Sequence, residues 1–398
     1  MLARSRLKAR PALAIAVGLL GVVATGALPA TASSASGFAS ARAGTPAFAG
    51  SLIARDDTST FAWGRDGGIS VPLPNGRAFW VFADTPQWQF KRGSWYLTGF
   101  IRGSSAGIQD YRNGSRPTSR FYEAIPGKRL SKSNNATQLM ANPHLKLSNG
   151  SGKACNKIFG GSSAEAARWA TGAALMPDRQ NIFIPYVDVC VQTATKYTVQ
   201  GWGFSFYNWK KNRVTVPPTD VFKPKPSGAA IPTTRWYGSP VVVGNRMTMF
   251  TSTCCGFPQG KIYTTTMPAN LDALRNAKSY VSKPIPNLPP NLVVTVANRS
   301  KTRSTYTMYQ SSDLKGRYLI LTAPSPTGPW TGKALGQLPK CQTSPLPCTS
   351  FAIHPEFSSK TRLIVSYYLP GSGATIGGHP DKSHRPNFGH IVWASIPM

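Results

Sequence analysis

Acid/base chemistry in this chain must draw on few groups. Fourteen Asp and Glu stand against 45 Lys and Arg in 398 residues, so the candidate carboxylates can nearly be enumerated. Asp66 and Asp84 stand out by their spacing. Between them Ile69, Val71 and Leu73 alternate, Asn75-Gly76 follows, and Phe79 to Phe82 form an apolar run. Asn-Gly between apolar segments is the strongest short-range sign of a tight hairpin, because both central residues of a type I′ turn need φ > 0. With a two-residue loop, Asp66 faces Thr85 and Gly67 faces Asp84. A four-residue loop changes the register but leaves the aspartates neighbours, their backbones about 5 to 8 Å apart. Two carboxylates held that close form a plausible acid/base pair, one giving a proton and the other acting as base or nucleophile. The competing reading is that each caps a strand end.

The elements that would position the pair recur along the chain. Trp169 to Met176 leads through Pro177-Asp178-Arg179-Gln180 to Asn181 to Asp188. Trp236 to Val243 turns at Gly244-Asn245 into Arg246 to Ser252. Asn291 to Val296 precedes Thr305 to Gln310, and Phe351 to Phe357 precedes Arg362 to Tyr368. With the first, these make five hairpins, each followed by at least one more strand candidate, such as Gly201 to Trp209 or His390 to Ile396. Helical periodicity is confined to Ser162–Trp169 and Ala269–Ala277. This is an all-β pattern, and repeated meanders predict a five-bladed β-propeller. A two-sheet sandwich explains the repetition less well. The Gly/Ser/Arg-rich stretch Arg102 to Arg120 reads as an exposed insertion, and the segment near Ser51 to Phe61 as the closure of the ring.

In such a ring, the start of each first strand and the end of each second strand share one face. That rim collects Asp66 and Asp84, then Glu165 and Asp188 from the second blade, as further catalytic candidates. It also collects Trp236, Tyr237, Cys254 and Cys255 from the third blade, Asn291 from the fourth and Ser350 from the fifth. Trp169, Trp236 and Tyr237 are aromatic faces for sugar rings, with Asn291 and His354 as polar contacts. Arg65 and Arg235 precede two first strands and are placed to bind anionic groups or hold the carboxylates ionised. Glu356 lies near the opposite face and reads as structural. No G-x-S-x-G, Walker, H-E-x-x-H or EF-hand pattern occurs. These absences count against a lipase or phosphodiesterase. No cofactor is expected and no metal ligands are assigned. An axial calcium or other ion is left open, with no ligand cluster calling for it.

The N-terminus reads as a secretory signal over residues 1–32: Arg4, Arg6, Lys8 and Arg10, an apolar run from Ala12 to Leu28, then Ala30-Thr31-Ala32. Residues 33–50 read as a flexible leader and 51–398 as a single propeller domain. No other run is long enough to span a bilayer. Six cysteines in an exported chain suggest three disulfides, with Cys341–Cys348 and Cys155–Cys190 as the first guesses. The formal charge of +31 points to an anionic partner such as a wall polymer, or serves only to keep an exported protein dispersed. Nucleic-acid motifs are absent, so no nucleic-acid partner is expected, and the chain reads as an extracellular monomer.

The stretch Gly64-Arg65-Asp66-Gly67-Gly68 through Ala83-Asp84-Thr85 is similar to the first blade of a family of secreted bacterial five-bladed propellers. That family was long catalogued as a domain of unknown function. It includes endo-D-arabinanases that cut mycobacterial arabinogalactan and lipoarabinomannan. Ser325 to Trp330 (SPTGPW) and His354 to Tyr368 resemble its later blades. The resemblance covers about residues 51–398 and implies a glycoside hydrolase of the arabinanase-like propeller type, with Asp66 and Asp84 matching the first-blade positions. Glu165 is the best-placed Glu for a general acid, but it stands outside the short motif in which related arabinan- and xylan-cleaving propellers carry theirs. The expectation is therefore a hydrolase of wall furanosides, D-arabinan foremost. The rival is a propeller that binds wall glycan without cutting it, in a salt-sensitive way.

Overall fold

The computed structural model of the protein describes residues 47–51, 61–111, 121–124, 137–142, 155, 164–193, 196–222, 237–251, 262–286, 293–298, 306–311, 316–343, 348–359, 361–369 and 390–397. All belong to one compact unit, Phe38–Met398. The expected signal segment, Arg235, Trp236, Asn291, Cys254 and Cys255 lie outside the described residues.

The strands run in chain order. First come β1 (Ala47–Ser51), β2 (Phe61–Trp63), β3 (Gly67–Pro72), β4 (Arg77–Phe82), β5 (Thr85–Lys91), β6 (Ser94–Ile101), β7 (Ser105–Asp110) and β8 (Tyr122–Glu123). Then follow β9 (Glu165–Ala170), β10 (Ala174–Leu175), β11 (Asn181–Thr193), β12 (Lys196–Asn208) and β13 (Arg213–Phe222). The next group is β14 (Tyr237–Val243), β15 (Arg246–Thr251), β16 (Tyr263–Pro268) and β17 (Val281–Pro284). Then come β18 (Val293–Asn298), β19 (Tyr306–Ser311), β20 (Arg317–Ala323) and β21 (Thr331–Gln337), and last β22 (Thr349–Ile353), β23 (Arg362–Leu369) and β24 (His390–Pro397). Helix α1 (Leu271–Arg275) lies inside the stretch expected to be helical, and the Asn270 side chain caps it by accepting from the Ala273 N–H. The other expected helix is instead strand β9, which lies against β11. Ala166 and Ala167 point to opposite sides of that strand and both are buried.

Pairing sorts the strands into five blades: β3-β4-β7-β8, β10-β11-β12-β13 with β9 alongside β11, β14-β15-β16-β17, β18-β19-β20-β21, and β22-β23-β24-β1. The innermost strands touch in the order β3, β10, β14, β18, β22, and β22 returns to β3. Five antiparallel sheets whose inner strands close on themselves make a five-bladed β-propeller. Five apolar clusters fill the gaps, each spanning two successive blades. The alternation of β4 shows how this works. Phe79 and Val81 face the second blade, while Ala78, Trp80 and Phe82 face the fifth. A strand buried on both sides therefore reads as a continuous apolar run, and each large side chain contributes about 1.5–3 kcal/mol.

Closure comes earlier in the chain than expected. β1 pairs with β24, so residues 47–50 of the expected leader are the outer strand of the last blade. The expected insertion is in part blade. Of Arg102 to Arg120, the part Ser105–Asp110 is a central strand of the first blade, buried along all but its last residue. The excursion is β5–β6, which with β2 forms a separate three-stranded sheet. Small residues are needed in β7 because Phe121 packs directly on Gly107. Two of the expected disulfides are present, Cys155–Cys190 and Cys341–Cys348.

The seam between the fifth and first blades holds a buried polar chain. His354 is fully buried and stacks on Trp80 at 4.6 Å between centroids. Its Nδ1 lies 2.6 Å from Ser70 Oγ and its Nε2 2.7 Å from Ser366 Oγ, and Ser70 donates to Glu356. This overturns the expectation that His354 faces the funnel, because the strand alternation turns it between blades. Burial lowers the imidazole to about 3 and keeps it neutral, and lifts Glu356 to about 7. The folded protein therefore holds the Glu356 proton more tightly than the unfolded chain, whose value is 4.5. Stability from this group is full below pH 4.5 and is lost as pH rises to about 7. Glu356→Gln should raise the melting temperature above pH 7 and leave it unchanged at pH 4, as thermal unfolding at both pH values would show.

Candidate functional site

The first hairpin closes through three loop residues rather than two. Leu73 N–H donates to Arg77 O at 2.6 Å, and Gly76 takes φ +75° at the end of the loop Pro74-Asn75-Gly76. Pairing runs Pro72↔Ala78 to Ile69↔Val81, and a bulge between Gly67 and Ile69 then shifts it by one. The pairing up to the bulge would set Asp66 opposite Asp84, and the bulge moves Asp66 by one so that it bonds to both Ala83 and Asp84. Asp66 N–H donates to Asp84 O at 2.9 Å, and Ala83 N–H donates to Asp66 O at 2.8 Å.

Each carboxylate is half-buried and held by its own donors. Asp66 Oδ1 accepts from Gly67 N–H at 2.6 Å and from Ser350 Oγ at 2.9 Å, across the seam from the fifth blade. Ser350 sits at a bulge of β22 with φ +58°, a conformation that costs a non-glycine residue free energy and tends to persist where function holds it. Asp84 Oδ1 accepts from Gly103 N–H at 2.8 Å and from Trp169 Nε1 at 3.0 Å, reaching into the second blade. Gly103 takes φ +98°, and a Cβ there would lie 2.7 Å from Arg168 O, so a side chain at 103 would push this donor away.

Burial raises both carboxyls. For Asp66 the rise is opposed by Ser350 and Gly67. Asp84 is lifted to about 6 by burial, with the Asp66 charge adding to the lift, while Gly103, Trp169 and Arg102 oppose it. Two tyrosines share the field. Burial and then Asp66 push Tyr197 up, and burial with both aspartates pushes Tyr368 up. Tyr197 meets the Trp169 ring edge to face at 5.1 Å. Asp84, lifted to about 6 in part by the Asp66 charge, with Trp169, Tyr197 and Tyr368 around the pair, is a proton donor beside a second carboxylate, the arrangement acid/base catalysis requires.

The remaining sequence candidates fall elsewhere. Asp188 is 1% exposed and makes a two-point contact with Arg168, 2.8 Å at Nε and 3.1 Å at Nη2. Arg168 also reaches Asp220 at 3.4 Å and Ala141 O at 2.8 Å, and lies over Tyr186 at 4.3 Å. Burial raises the Asp188 carboxyl, with Arg168 opposing, so this aspartate is a clamp rather than a proton donor open to substrate. Glu165 is exposed and pairs with Arg102 Nη1 at 2.5 Å, so it bears on Asp84 through Arg102. Arg65 is 3% exposed, its guanidinium between Phe82 at 4.5 Å and Phe121 at 5.6 Å, within the packing of the first blade. Tyr237 is buried among Trp202, Phe222 and Tyr280. Of the two expected aromatic contacts among the described residues, Trp169 reaches the pair and Tyr237 does not. Sequence reasoning missed Gly103, Arg102, Tyr197 and Tyr368 because each arrives through pairing between distant segments. Ser350 had been placed on the rim without a partner. Among the described residues no group of three His, Cys, Asp or Glu is placed to hold a metal ion, and no helix there is long and apolar enough to cross a membrane.

No family model and no curated protein sequence matches the chain. Among solved structures it is similar to a protein from Bacteroides ovatus ATCC 8483 designated a candidate hydrolase, with a TM-score of 0.53 at 14% identity over 87% of each chain. Fainter likenesses are to a family 117 glycoside hydrolase of the marine bacterium Zobellia galactanivorans (TM-score 0.44, 10% identity, 89% of this chain and 90% of that one), and to a GH43_1 enzyme from Xanthomonas citri complexed with xylotriose (TM-score 0.43, 9% identity, 88% and 90%). At 14% identity the first of these speaks for a shared fold alone, and the chemistry rests on the site's own residues.

Proposed function

We propose that the protein is a secreted glycoside hydrolase that cuts furanoside polymers of bacterial cell walls, the D-arabinan of arabinogalactan foremost, with Asp66 and Asp84 as its acid/base pair. The observation that carries this reading is the pairing of two aspartates, backbone to backbone, whose half-buried carboxyls are both raised and lie beside Trp169. The resemblance of the first blade to the D-arabinanase family supplies the substrate. Export is supported by the N-terminal signal pattern and by two disulfides, which form in oxidising compartments.

Asp84, lifted to about 6 with help from the Asp66 charge, carries the proton. It gives that proton to the glycosidic oxygen as the bond to the anomeric carbon breaks. Asp66, held by Ser350 and Gly67, supplies the electron pair to that carbon, either directly or through a water whose proton it takes. Water completes the reaction and the proton returns to Asp84. Trp169 keeps Asp84 in place and offers a face to a sugar ring.

The test is incubation of the purified protein with arabinogalactan and arabinan, with released oligosaccharides as the readout. Soluble oligosaccharide is expected from wild type and none from Asp66→Asn. Binding that fades with salt, without release, would replace this reading with that of a wall-binding propeller, which the net charge of +31 favours.

A further inference from the structure

One feature of the first blade has no part in the ring. The β5–β6 hairpin leaves the chain directly after Asp84 and returns at Arg102-Gly103, the residue pair that supplies Asp84 with a backbone donor and a nearby positive charge. Three of the five large exposed hydrophobic side chains among the described residues lie on it: Tyr96 at 48%, Leu97 at 45% and Phe100 at 45%. Nothing acidic interrupts the sequence between Asp84 and Asp110, and Lys91-Arg92 forms the tip. A strand of this length reaches about 25 Å, far more than one sugar ring.

The register separates the two faces. Trp88↔Leu97 and Pro86↔Phe100 place Leu97 and Phe100 on the face of Trp88. Gln89↔Tyr96 places Tyr96 on the other face. The Phe100 face leads to the site, since the Arg102 guanidinium lies 5.4 Å from the Phe100 ring centroid and its charge bears on Asp84. Glu165 anchors the same guanidinium.

We infer that the Phe100 face of the β5–β6 hairpin is a subsite for a polysaccharide chain, delivering that chain to Asp66 and Asp84. The inference rests on the hydrolase reading for what happens to the chain, not for the binding itself. An exposed aromatic ring beside an apolar neighbour and a guanidinium matches the chemistry of sugars, whose C–H faces lie on rings and whose hydroxyls accept from Arg. Continuity with the carboxylate pair selects this occupant, because a chain lying on Phe100 has Asp84 at the foot of the hairpin.

The test measures binding of soluble arabinogalactan by affinity electrophoresis in an Asp84→Asn background, where cleavage cannot remove the ligand. Phe100→Ala should weaken binding by about tenfold, Phe100→Leu should do the same while keeping the apolar volume, and Tyr96→Ala should leave it unchanged. In the otherwise wild-type protein, Phe100→Ala should raise KM for the polymer more than for a short oligosaccharide. Unchanged polymer binding by Phe100→Leu with a wild-type melting temperature overturns the inference. Phosphatidylglycerol vesicles provide the other arm. Phe100-dependent binding to vesicles but not to glycan overturns it in favour of a lipid surface. If no glycan is hydrolysed but Phe100-dependent glycan binding remains, the hydrolase reading falls and the subsite stands.

Discussion

An Asp84→Asn protein is expected to release oligosaccharide from arabinan at least about 10³-fold more slowly than wild type while melting at a higher temperature above pH 6. Both effects come from one cause. Burial and the neighbouring Asp66 charge lift Asp84 to about 6, so near neutral pH the native fold either keeps the proton that catalysis needs or holds two crowded charges. Stability from a raised carboxyl is full below its unfolded value of 3.8 and is lost as pH rises to about 6. Asparagine removes that loss and can still accept from Gly103 and Trp169 through its amide oxygen. The gain should therefore be absent at pH 3.5, grow to about pH 6 and stay level above, at roughly 1–3 kcal/mol. Activity runs the other way. Wild-type cleavage should fall as pH rises through about 6, because Asp84 must be protonated to act as the acid. Paired denaturation and rate measurements across pH would reveal the trade. A variant that lost stability at pH 8, or kept wild-type cleavage, would refute the assignment of Asp84 as acid.

The largest stability effect is expected at Arg168. Its guanidinium is clamped by Asp188, Asp220 and Ala141 O and covers Tyr186. Burial works against its charge, and Asp188 together with Tyr186 and Asp220 holds Arg168 above its ordinary value. Arg168→Leu strands the Asp188 carboxylate at 1% exposure and should destabilise the protein by about 3–5 kcal/mol. Replacing both with apolar residues should cost less than the single change, since no unpaired charge then stays buried. Urea unfolding of the single and double variants measures the difference, and a milder single variant would mean that water reaches the pair. Arg168 also braces Gly103 and carries Trp169 as its neighbour in β9. Arg168→Lys should thus keep part of the stability yet loosen both donors to Asp84, seen as a shift of the alkaline limb of the pH–rate profile, the fall in rate near pH 6.

The two disulfides and the polar seam of His354 show different degrees of legibility. Cys341 and Cys348 could be paired from the sequence because seven residues of chain confine them. His354 could not be placed, since a strand's alternation can put either neighbour toward the axis and only the bulge between Thr349 and Ala352 decides which. The excursion that the structure shows, β5–β6, was not foreseen, and part of the expected insertion is strand. Thr85 to Ile101 is rich in aromatic residues but stands outside the ring. Ser105 to Asp110 is rich in small residues and reads as a loop, but lies between β4 and β8. Composition reports what a segment is able to bury, and the neighbouring sheet decides whether it does.

The sequence by itself determined the five hairpins, the all-β ring they build and the adjacency of Asp66 and Asp84. These follow from turn chemistry and period-two alternation within a few residues. The loop at Asn75-Gly76 and the bulge at Gly67 each move the register by one residue, yet the aspartates stay neighbours. Only the tertiary structure decided which groups serve the pair. Ser350 reaches Asp66 across 284 positions and Trp169 reaches Asp84 across 85. Asp188, equally well placed on paper, was withdrawn into an ion pair with Arg168 on the opposing strand. The first two contacts arise where separate blades pack face to face and the third where β9 joins β11, and no local pattern records which side chain will meet another there.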